Sequence, residues 1–181
     1  MASAPLVVDG HVVVGVAGGE YGIRGIVAAF SPDDGRRLWQ FDTVPKPGEP
    51  GSETWKGNSW KSGGASSWTT GVFDKDLDLI FWTTGNPWPP LDNSSRQGDN
   101  LYSNSVVALE RKTGKLRWYY QFTPDDTHDW DAAQQPILAD VNWQGQTVPA
   151  LLLANRNAFY YAIDRRDGRF LYGKAFVKQT W

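Results

Sequence analysis

Cysteine is absent from this chain of 181 residues, and histidine occurs only twice, at His11 and His128. Without thiols the chain forms no disulfide, no thiolate zinc site and no cysteine nucleophile. Two histidines also leave no His-Glu-x-x-His zinc motif, and neither a Gly-x-Ser-x-Gly nucleophile elbow nor a phosphate-binding loop occurs. The sequence therefore argues against the common zinc-dependent and nucleophilic enzyme classes.

A long apolar run and an excess of positive charge are missing as well. No uninterrupted apolar stretch approaches the ~18 residues of a membrane span, so we expect no transmembrane segment. Residues 1–19 have no basic region, and Asp9, Gly10 and His11 interrupt their apolar stretch, so they do not predict a secretory signal. With 18 Lys and Arg against 20 Asp and Glu, the net charge of −2 argues against a nucleic acid partner.

What the sequence does contain is an eleven-residue repeat, found at 29–39, 108–118 and 162–172. Each copy begins with alanine, has glycine at position seven and ends in an aromatic residue. Glycine readily adopts the positive φ of a tight turn, so each copy predicts a β-hairpin whose returning strand carries a large ring inward. The 10 Trp, 19 Gly and 11 Pro agree with many turns, few helices and packing by indole rings.

Apolar or alternating segments around the repeats predict further strands. These segments are residues 6–16, 25–30, 105–109, 150–153 and 159–163, with another hairpin at 72–82. Only residues 131–135 resemble a short helical turn. Repeated four-stranded units indicate an all-β fold, namely a β-propeller fragment of about three antiparallel blades. We expect one partial propeller domain over residues 1–181.

Two apparent motifs fail on inspection. The glycines between Gly15 and Gly25 never reach the register of a dinucleotide-binding loop, and no helix follows them. Asp74, Asp76 and Asp78 imitate a calcium-binding loop, but Leu79 replaces its required glycine. We interpret that segment as a hairpin turn.

Oxygen-bearing side chains occur on loops that follow successive predicted strands: Glu20, Asn86, Asp129 and Asp131. Carboxylate and amide oxygens are the ligands of a hard cation. Each residue alone also has an ordinary interpretation, since Asn86 before Pro87 is typical of a turn and Glu20 suits a solvated loop. Trp68 follows a run of small residues, where a flat ring is able to line a pocket for an aromatic cofactor.

As an ordered set, these motifs resemble the pyrroloquinoline quinone (PQQ) dependent alcohol dehydrogenases, the quinoprotein family that includes methanol dehydrogenase. The resemblance covers residues 18–181. It implies that the eleven-residue repeats are tryptophan-docking motifs of an eight-bladed propeller, from which this chain is an arc. The motifs that carry it are Gly-Gly-Glu-Tyr-Gly-Ile-Arg-Gly at 18–25, Glu-Thr-Trp-Lys-Gly at 53–57, Thr-Gly-Asn-Pro at 84–87, Gly-Asp-Asn-Leu-Tyr at 98–102, Asp-Trp-Asp at 129–131 and Asn-Arg-Asn at 155–157.

The resemblance implies a role for each candidate site residue. Glu20 and Asn86 match a carboxylate and an amide ligand of the metal, and Asp129 matches the catalytic base, which also lies at the metal. Trp68 would stack on one face of the quinone. The other cofactor contacts would be the hydroxyl of Ser66, the neighbouring Ala65, and the guanidinium of Arg156 near the quinone oxygens.

Two departures from the family pattern concern the cofactor. Ala17 stands where methanol dehydrogenase has a serine that helps to hold the quinone. The family's adjacent cysteine pair, which covers the other face of the quinone, corresponds to sequence before the start of this chain. We therefore expect the chain to supply only part of the cofactor site.

Asp131 bears on the choice of metal. In an extended segment residues i and i+2 point the same way, so Asp131 is expected to face the ion together with Asp129. Calcium enzymes of the family have alanine there, whereas their lanthanide-dependent relatives resemble this chain in having aspartate. An added anionic oxygen favours a trivalent ion over Ca²⁺. The alternative is that Asp131 turns outward and caps a short helix at 132–135.

The resemblance further implies that a primary alcohol is oxidised to an aldehyde by hydride transfer to metal-bound PQQ, with electrons passed to a cytochrome c. A full-length protein would be periplasmic and is a candidate homodimer, and the isolated chain would be inactive. Two alternatives remain: a non-catalytic propeller scaffold, such as an envelope-assembly protein, and a sugar or polyol quinoprotein dehydrogenase. A scaffold would share the repeats but has no need of Glu20, Asn86 and Asp129.

Overall fold

The computed structural model of the chain describes residues 3–180, which form twelve strands in three four-stranded sheets. Every sheet is an antiparallel meander, so consecutive strands are hydrogen-bonded neighbours. The first sheet comprises β1 (Leu6–Val8), β2 (His11–Gly15), β3 (Ile26–Phe30) and β4 (Arg37–Asp42); the second β5 (Val72–Asp74), β6 (Leu79–Thr83), β7 (Ser105–Glu110) and β8 (Leu116–Gln121); the third β9 (Ile137–Trp143), β10 (Gln146–Ala154), β11 (Phe159–Asp164) and β12 (Phe170–Ala175).

The predicted all-β class is confirmed, with differences in detail. Residues 6–16 are two short strands rather than one, because Asp9 and Gly10 both adopt positive φ and form a turn. Strand β9 was not predicted. The helical turn expected at 131–135 is wrong, since these residues adopt no regular structure. In residues 3–180 the helical segments are three single 3₁₀ turns, at Gly19–Tyr21, Ser52–Thr54 and Ser59–Ser62.

Each tryptophan that ends a repeat packs against the next sheet. The indole nitrogen of Trp39 donates a hydrogen bond of 2.7 Å to the carbonyl oxygen of Arg111. A Cβ atom at Gly114 would collide with the Trp39 ring. Position eleven of the first repeat therefore lies on position seven of the second, which has room only for glycine.

The second and third sheets are joined in the same way. The Trp118 indole nitrogen donates to the carbonyl oxygen of Arg165 at 3.2 Å, and a Cβ at Gly168 would lie 2.7 Å from the Trp118 ring. Tyr172 ends the third repeat and is 40% exposed. Within residues 3–180 no further repeat covers its ring.

The middle sheet is buried on both faces. All five residues of β6 are buried, and their side chains alternate between two cores. Ile80 and Trp82 pack toward the first sheet, whereas Leu79 and Phe81 pack toward the third. This stacking of sheets on both sides fixes the loops at the strand ends relative to one another. In residues 3–180 no helix is long and apolar enough to cross a membrane.

Candidate active site

Loops that follow strands of two sheets, together with the segment before β5, surround a cavity of about 460 Å³. Glu20 follows β2, Trp68 precedes β5, Asn86 follows β6, and Asp129 lies between β8 and β9. Residues separated by up to about a hundred positions in the sequence therefore share one cavity. Its lining consists of Ala17, Gly18, Glu20, Ser66, Trp68, Asn86, Trp88, Pro90, Asp129 and Asp131.

The backbone of residues 63–67 holds two of these loops together. Gly64 pairs with Arg24 on one side and with Pro87 on the other. The amide of Ala65 donates to the carbonyl oxygen of Asn86 at 2.9 Å, and the carbonyl oxygen of Ser66 accepts from the amide of Gly85 at 2.7 Å. The positions of Glu20 and Asn86 at the cavity are therefore fixed through a shared stretch of backbone.

Ser66 and Ala65 differ in their access to the cavity. Ser66 lines the cavity and is largely buried. Ala65 is fully buried, has a positive φ of 48° and is not part of the lining. Its carbonyl oxygen accepts from the hydroxyl of Thr43 at 2.6 Å, so Ala65 supports the floor of the site from behind.

Asp131 faces the cavity rather than the solvent. Its side chain is 15% exposed, and Oδ1 accepts a hydrogen bond of 2.8 Å from the backbone amide of Asn86. A Cβ at Gly85 would collide with this same Oδ1, so glycine is what allows the carboxylate to approach the loop after β6. The alternative in which Asp131 caps a helix is wrong.

Burial raises the pKa of Asp131, and the nearby charge of Asp129 raises it further. Hydrogen bonds from the Asn86 amide and the Trp68 side chain act in the opposite direction, as does the charge of Arg156. On balance the pKa of Asp131 is raised, so its hydrogen bonds and Arg156 do not fully offset the cost of burying its negative charge. A cation bound in the cavity would stabilise that charge.

Arg156 spans the two aspartates. One of its terminal nitrogens lies 3.9 Å from Oδ2 of Asp129, and the other lies 3.7 Å from Oδ2 of Asp131. Its side chain is half exposed, at 52%. The family resemblance implies a position near the quinone oxygens for Arg156; in the structure it contacts both acids but is not part of the cavity lining.

The donor chemistry fits a hard cation shared by several loops. The amide nitrogen of Asn86 donates to the Pro87 carbonyl at 2.9 Å, which leaves its Oδ1 as a ligand atom. Across residues 3–180, no three Asp, Glu or His side chains group closely enough to hold a metal by themselves. Asn86 lines the cavity together with Glu20, Asp129 and Asp131, and its oxygen would add a neutral ligand to their carboxylates.

A larger cavity, of about 630 Å³, lies between β4 and the start of β8. Of its two acids, Asp42 and Glu49, the first is paired with Lys46 at 3.2 Å and with Arg24 at 2.6 Å. Three basic residues also line this cavity: Arg37, Lys46 and Lys115. The smaller cavity, with its excess of carboxylates, is the better candidate for a cation.

The sequence matches the family described as "PQQ: Glucose/ethanol/alcohol dehydrogenase, beta-propeller domain" over residues 1–174. The chain belongs to this family. It is 40% identical to the quinohemoprotein alcohol dehydrogenase ADH IIB of Pseudomonas putida over 196 aligned positions, covering 100% of the chain and 28% of that protein. The recognition made from the motifs is therefore confirmed.

Two further relatives are described as lanthanide enzymes, one by its name and one by the europium in its solved structure. The lanthanide-dependent methanol dehydrogenase of Methylacidiphilum fumariolicum is 36% identical over 100% of this chain and 33% of its own length. A europium-containing methanol dehydrogenase superposes with a TM-score of 0.92 at 37% identity, covering 97% of this chain and 34% of that one. The chain thus spans about a third or less of these relatives, and its sheets are three blades of a PQQ dehydrogenase propeller.

Sequence reasoning missed three parts of the lining. Trp88 and Pro90 line the cavity from a bend that follows Asn86, where no regular alternation of side chains applies. Gly18 lines the cavity through its backbone and has a positive φ of 92°. No side-chain pattern marks such a position.

Proposed function

We propose that this chain is the part of a PQQ-dependent alcohol dehydrogenase that carries the cation and one face of the cofactor site. The reaction is oxidation of a primary alcohol to an aldehyde. The observation that supports this most directly is that Glu20, Asn86, Asp129 and Trp68, four residues distant in sequence, line a single cavity. Membership in the PQQ dehydrogenase family supplies the cofactor class.

Glu20, Asn86 and Asp129 would hold the cation through their side-chain oxygens, and the indole of Trp68 would form the floor under the quinone. Trp68 is 38% exposed and lines the cavity, where a planar ligand has access to it. The hydroxyl of Ser66 would bind a polar group of the cofactor. Bound PQQ would supply the two-electron acceptor, and a hard cation would supply Lewis-acid polarisation.

Asp129 is the residue we assign as general base. Its side chain is 43% exposed, so the hydroxyl proton of an alcohol in the cavity has access to it. A terminal nitrogen of Arg156 lies 3.9 Å from Oδ2 of Asp129. Base catalysis of this kind contributes about 10²- to 10⁴-fold to a rate.

For the metal we propose a lanthanide ion in preference to Ca²⁺. Asp131 adds a carboxylate to the cavity wall, and each added anionic oxygen stabilises a trivalent ion more than a divalent one of similar size. The names of two relatives, a lanthanide-dependent and a europium-containing methanol dehydrogenase, support the same choice.

The electron acceptor would be a cytochrome c, in keeping with the quinohemoprotein names of several relatives. We assign the complete enzyme to the periplasm and regard a homodimer as its expected assembly, both on the family resemblance.

Reconstitution tests the proposal directly. The complete dehydrogenase that carries this chain is purified without cofactor, and dye-linked oxidation of a primary alcohol is measured after PQQ, a metal ion or both are added. We expect activity only when both are present. Activity independent of PQQ, or binding of neither PQQ nor any metal, would contradict the proposed function.

A further inference from the structure

Asp126 is a buried carboxylate three residues before Asp129 that does not line the cavity. Its side chain is fully buried, although the residue lies in a loop between β8 and β9. Taking a carboxylate out of water is costly unless several donors satisfy it. The groups that donate hydrogen bonds to Asp126 therefore indicate its structural role.

The two oxygens of Asp126 bind the backbone on both sides of the proposed base. Oδ1 accepts from the amide of His128 at 2.8 Å, and Oδ2 accepts from the amide of Trp130 at 2.8 Å. Oδ2 also accepts from the side-chain nitrogen of Asn104 at 2.8 Å. One carboxylate thus fixes the amides that precede and follow Asp129.

Asp129 requires such support because its backbone is in a costly conformation. Its φ is 61°, in the left-handed region that residues other than glycine rarely occupy. A conformation of this kind persists only where the surroundings determine it. The hydrogen bonds from the amides of His128 and Trp130 to Asp126 supply this constraint. They hold the backbone of Asp129 so that its carboxylate faces the cavity that it lines.

Asp126 is itself anchored by Arg96, a fully buried residue of the loop after β6. The Arg96 guanidinium donates to the Asp126 carbonyl oxygen, to the Pro89 carbonyl oxygen at 2.8 Å and to Oδ1 of Asn100 at 2.7 Å. Pro89 lies between Trp88 and Pro90 of the cavity lining. Through Arg96, the loop that carries Asp129 and Asp131 is therefore linked to the segment that carries Trp88 and Pro90 of the same cavity.

We infer that Asp126 is a positioning residue that sets the Asp129 and Asp131 carboxylates for the cation through the amides of His128 and Trp130. The inference rests on the proposed function, because it assigns how that site is built. Partners that orient metal ligands from behind typically change metal affinity about 10- to 100-fold when they are altered.

Terbium luminescence, sensitised by tryptophan, tests the inference in the complete apoprotein without any turnover. Asp126→Asn keeps the volume of the side chain but replaces one acceptor oxygen by an NH₂ group, which cannot accept an amide proton. We expect terbium to bind about 10- to 100-fold more weakly to this variant. The matched control is Asp76→Asn, the same charge change on an exposed turn, and it should bind terbium as the unmodified protein does.

The outcomes separate the inference from the proposed function. If the unmodified protein binds no terbium, the proposed function is contradicted. If the unmodified protein and Asp126→Asn bind terbium equally, only the positioning role is overturned. In the reconstituted enzyme the same variant should lower kcat while leaving the KM for alcohol within about twofold, since the proton acceptor is misplaced but the alcohol pocket is kept.

Hydrogen exchange of the unmodified protein provides a second measurement, which holds even if Asp126→Asn does not fold. The amides of His128 and Trp130 lie outside any strand, yet both donate to a buried carboxylate. We expect them to exchange slowly, like amides of the neighbouring strands. Exchange as fast as that of an exposed loop would contradict the inference.

Discussion

Oδ1 of Asp131 accepts a hydrogen bond from the backbone amide of Asn86, 45 residues earlier in the chain. The contact joins the loop after β6 to the loop before β9 at the wall of the cavity. Asp129 and Asp131 face the same cavity, but the segment is not extended, since Asp129 has a φ of 61°.

Because of this contact, two substitutions of Asp131 distinguish the effect of its charge from the effect of its hydrogen bond. We expect the complete enzyme to prefer a light lanthanide over Ca²⁺ and Asp131→Ala to abolish this preference, a shift of about tenfold, or ~1.4 kcal/mol, in relative affinity. Asp131→Asn keeps an oxygen for the Asn86 amide but removes the charge, so it should behave like Asp131→Ala. Metal titration of the two variants is the measurement, and a preference retained in Asp131→Asn would contradict a charge-based explanation.

Gly114 and Gly35 occupy the same repeat position and differ in what surrounds them. Both have positive φ, 67° and 69°, but a Cβ at Gly114 would collide with Trp39, whereas nothing lies within 4 Å of a Cβ at Gly35. We expect Gly35→Ala to destabilise the fold by about 1–2 kcal/mol, from backbone strain alone. Gly114→Ala should destabilise it by about 1–3 kcal/mol more, through overpacking.

Denaturant unfolding of both glycine variants measures this difference. Equal losses of stability would mean that the Trp39 ring does not dock on Gly114. The Gly168→Ala variant should follow Gly114→Ala, because Trp118 packs on Gly168 in the same manner.

The isolated chain of 181 residues should self-associate and lack activity. Its last strand and the residues directly after it expose Phe170, Tyr172, Phe176 and Val177 to between 40% and 56%. Exposed apolar sheet faces and open strand edges favour association. Analytical ultracentrifugation checks the first expectation and dye-linked alcohol oxidation the second. A monodisperse monomer would contradict the expected self-association, and substantial turnover would contradict the expected lack of activity.

The fold was largely predictable because its strongest signals are local. Glycine at position seven and an aromatic ring at position eleven mark each hairpin, and the apolar run of β6 marks a strand buried on both faces. Strand β9 escaped prediction because it lies at a sheet edge and is mostly half-buried or exposed, so its apolar pattern is weak.

The candidate site was predictable where side chains carry the information and not where the backbone does. Glu20, Asn86 and Asp129 were found from residue type and motif. The role inferred for Asp126 depends on the amides of His128 and Trp130, which no side-chain pattern reveals. For the same reason the positive φ of Asp129 became apparent only in the structure.

The central claim is that Asp129 is the base of a PQQ-dependent alcohol oxidation, and Asp129→Asn in the complete, reconstituted enzyme tests it most directly. The substitution keeps the volume of the side chain and removes the proton acceptor. We predict that dye-linked oxidation of a primary alcohol falls by about 10²- to 10⁴-fold, while PQQ titrated by absorbance still binds. Turnover at the unmodified rate with PQQ bound would contradict the account.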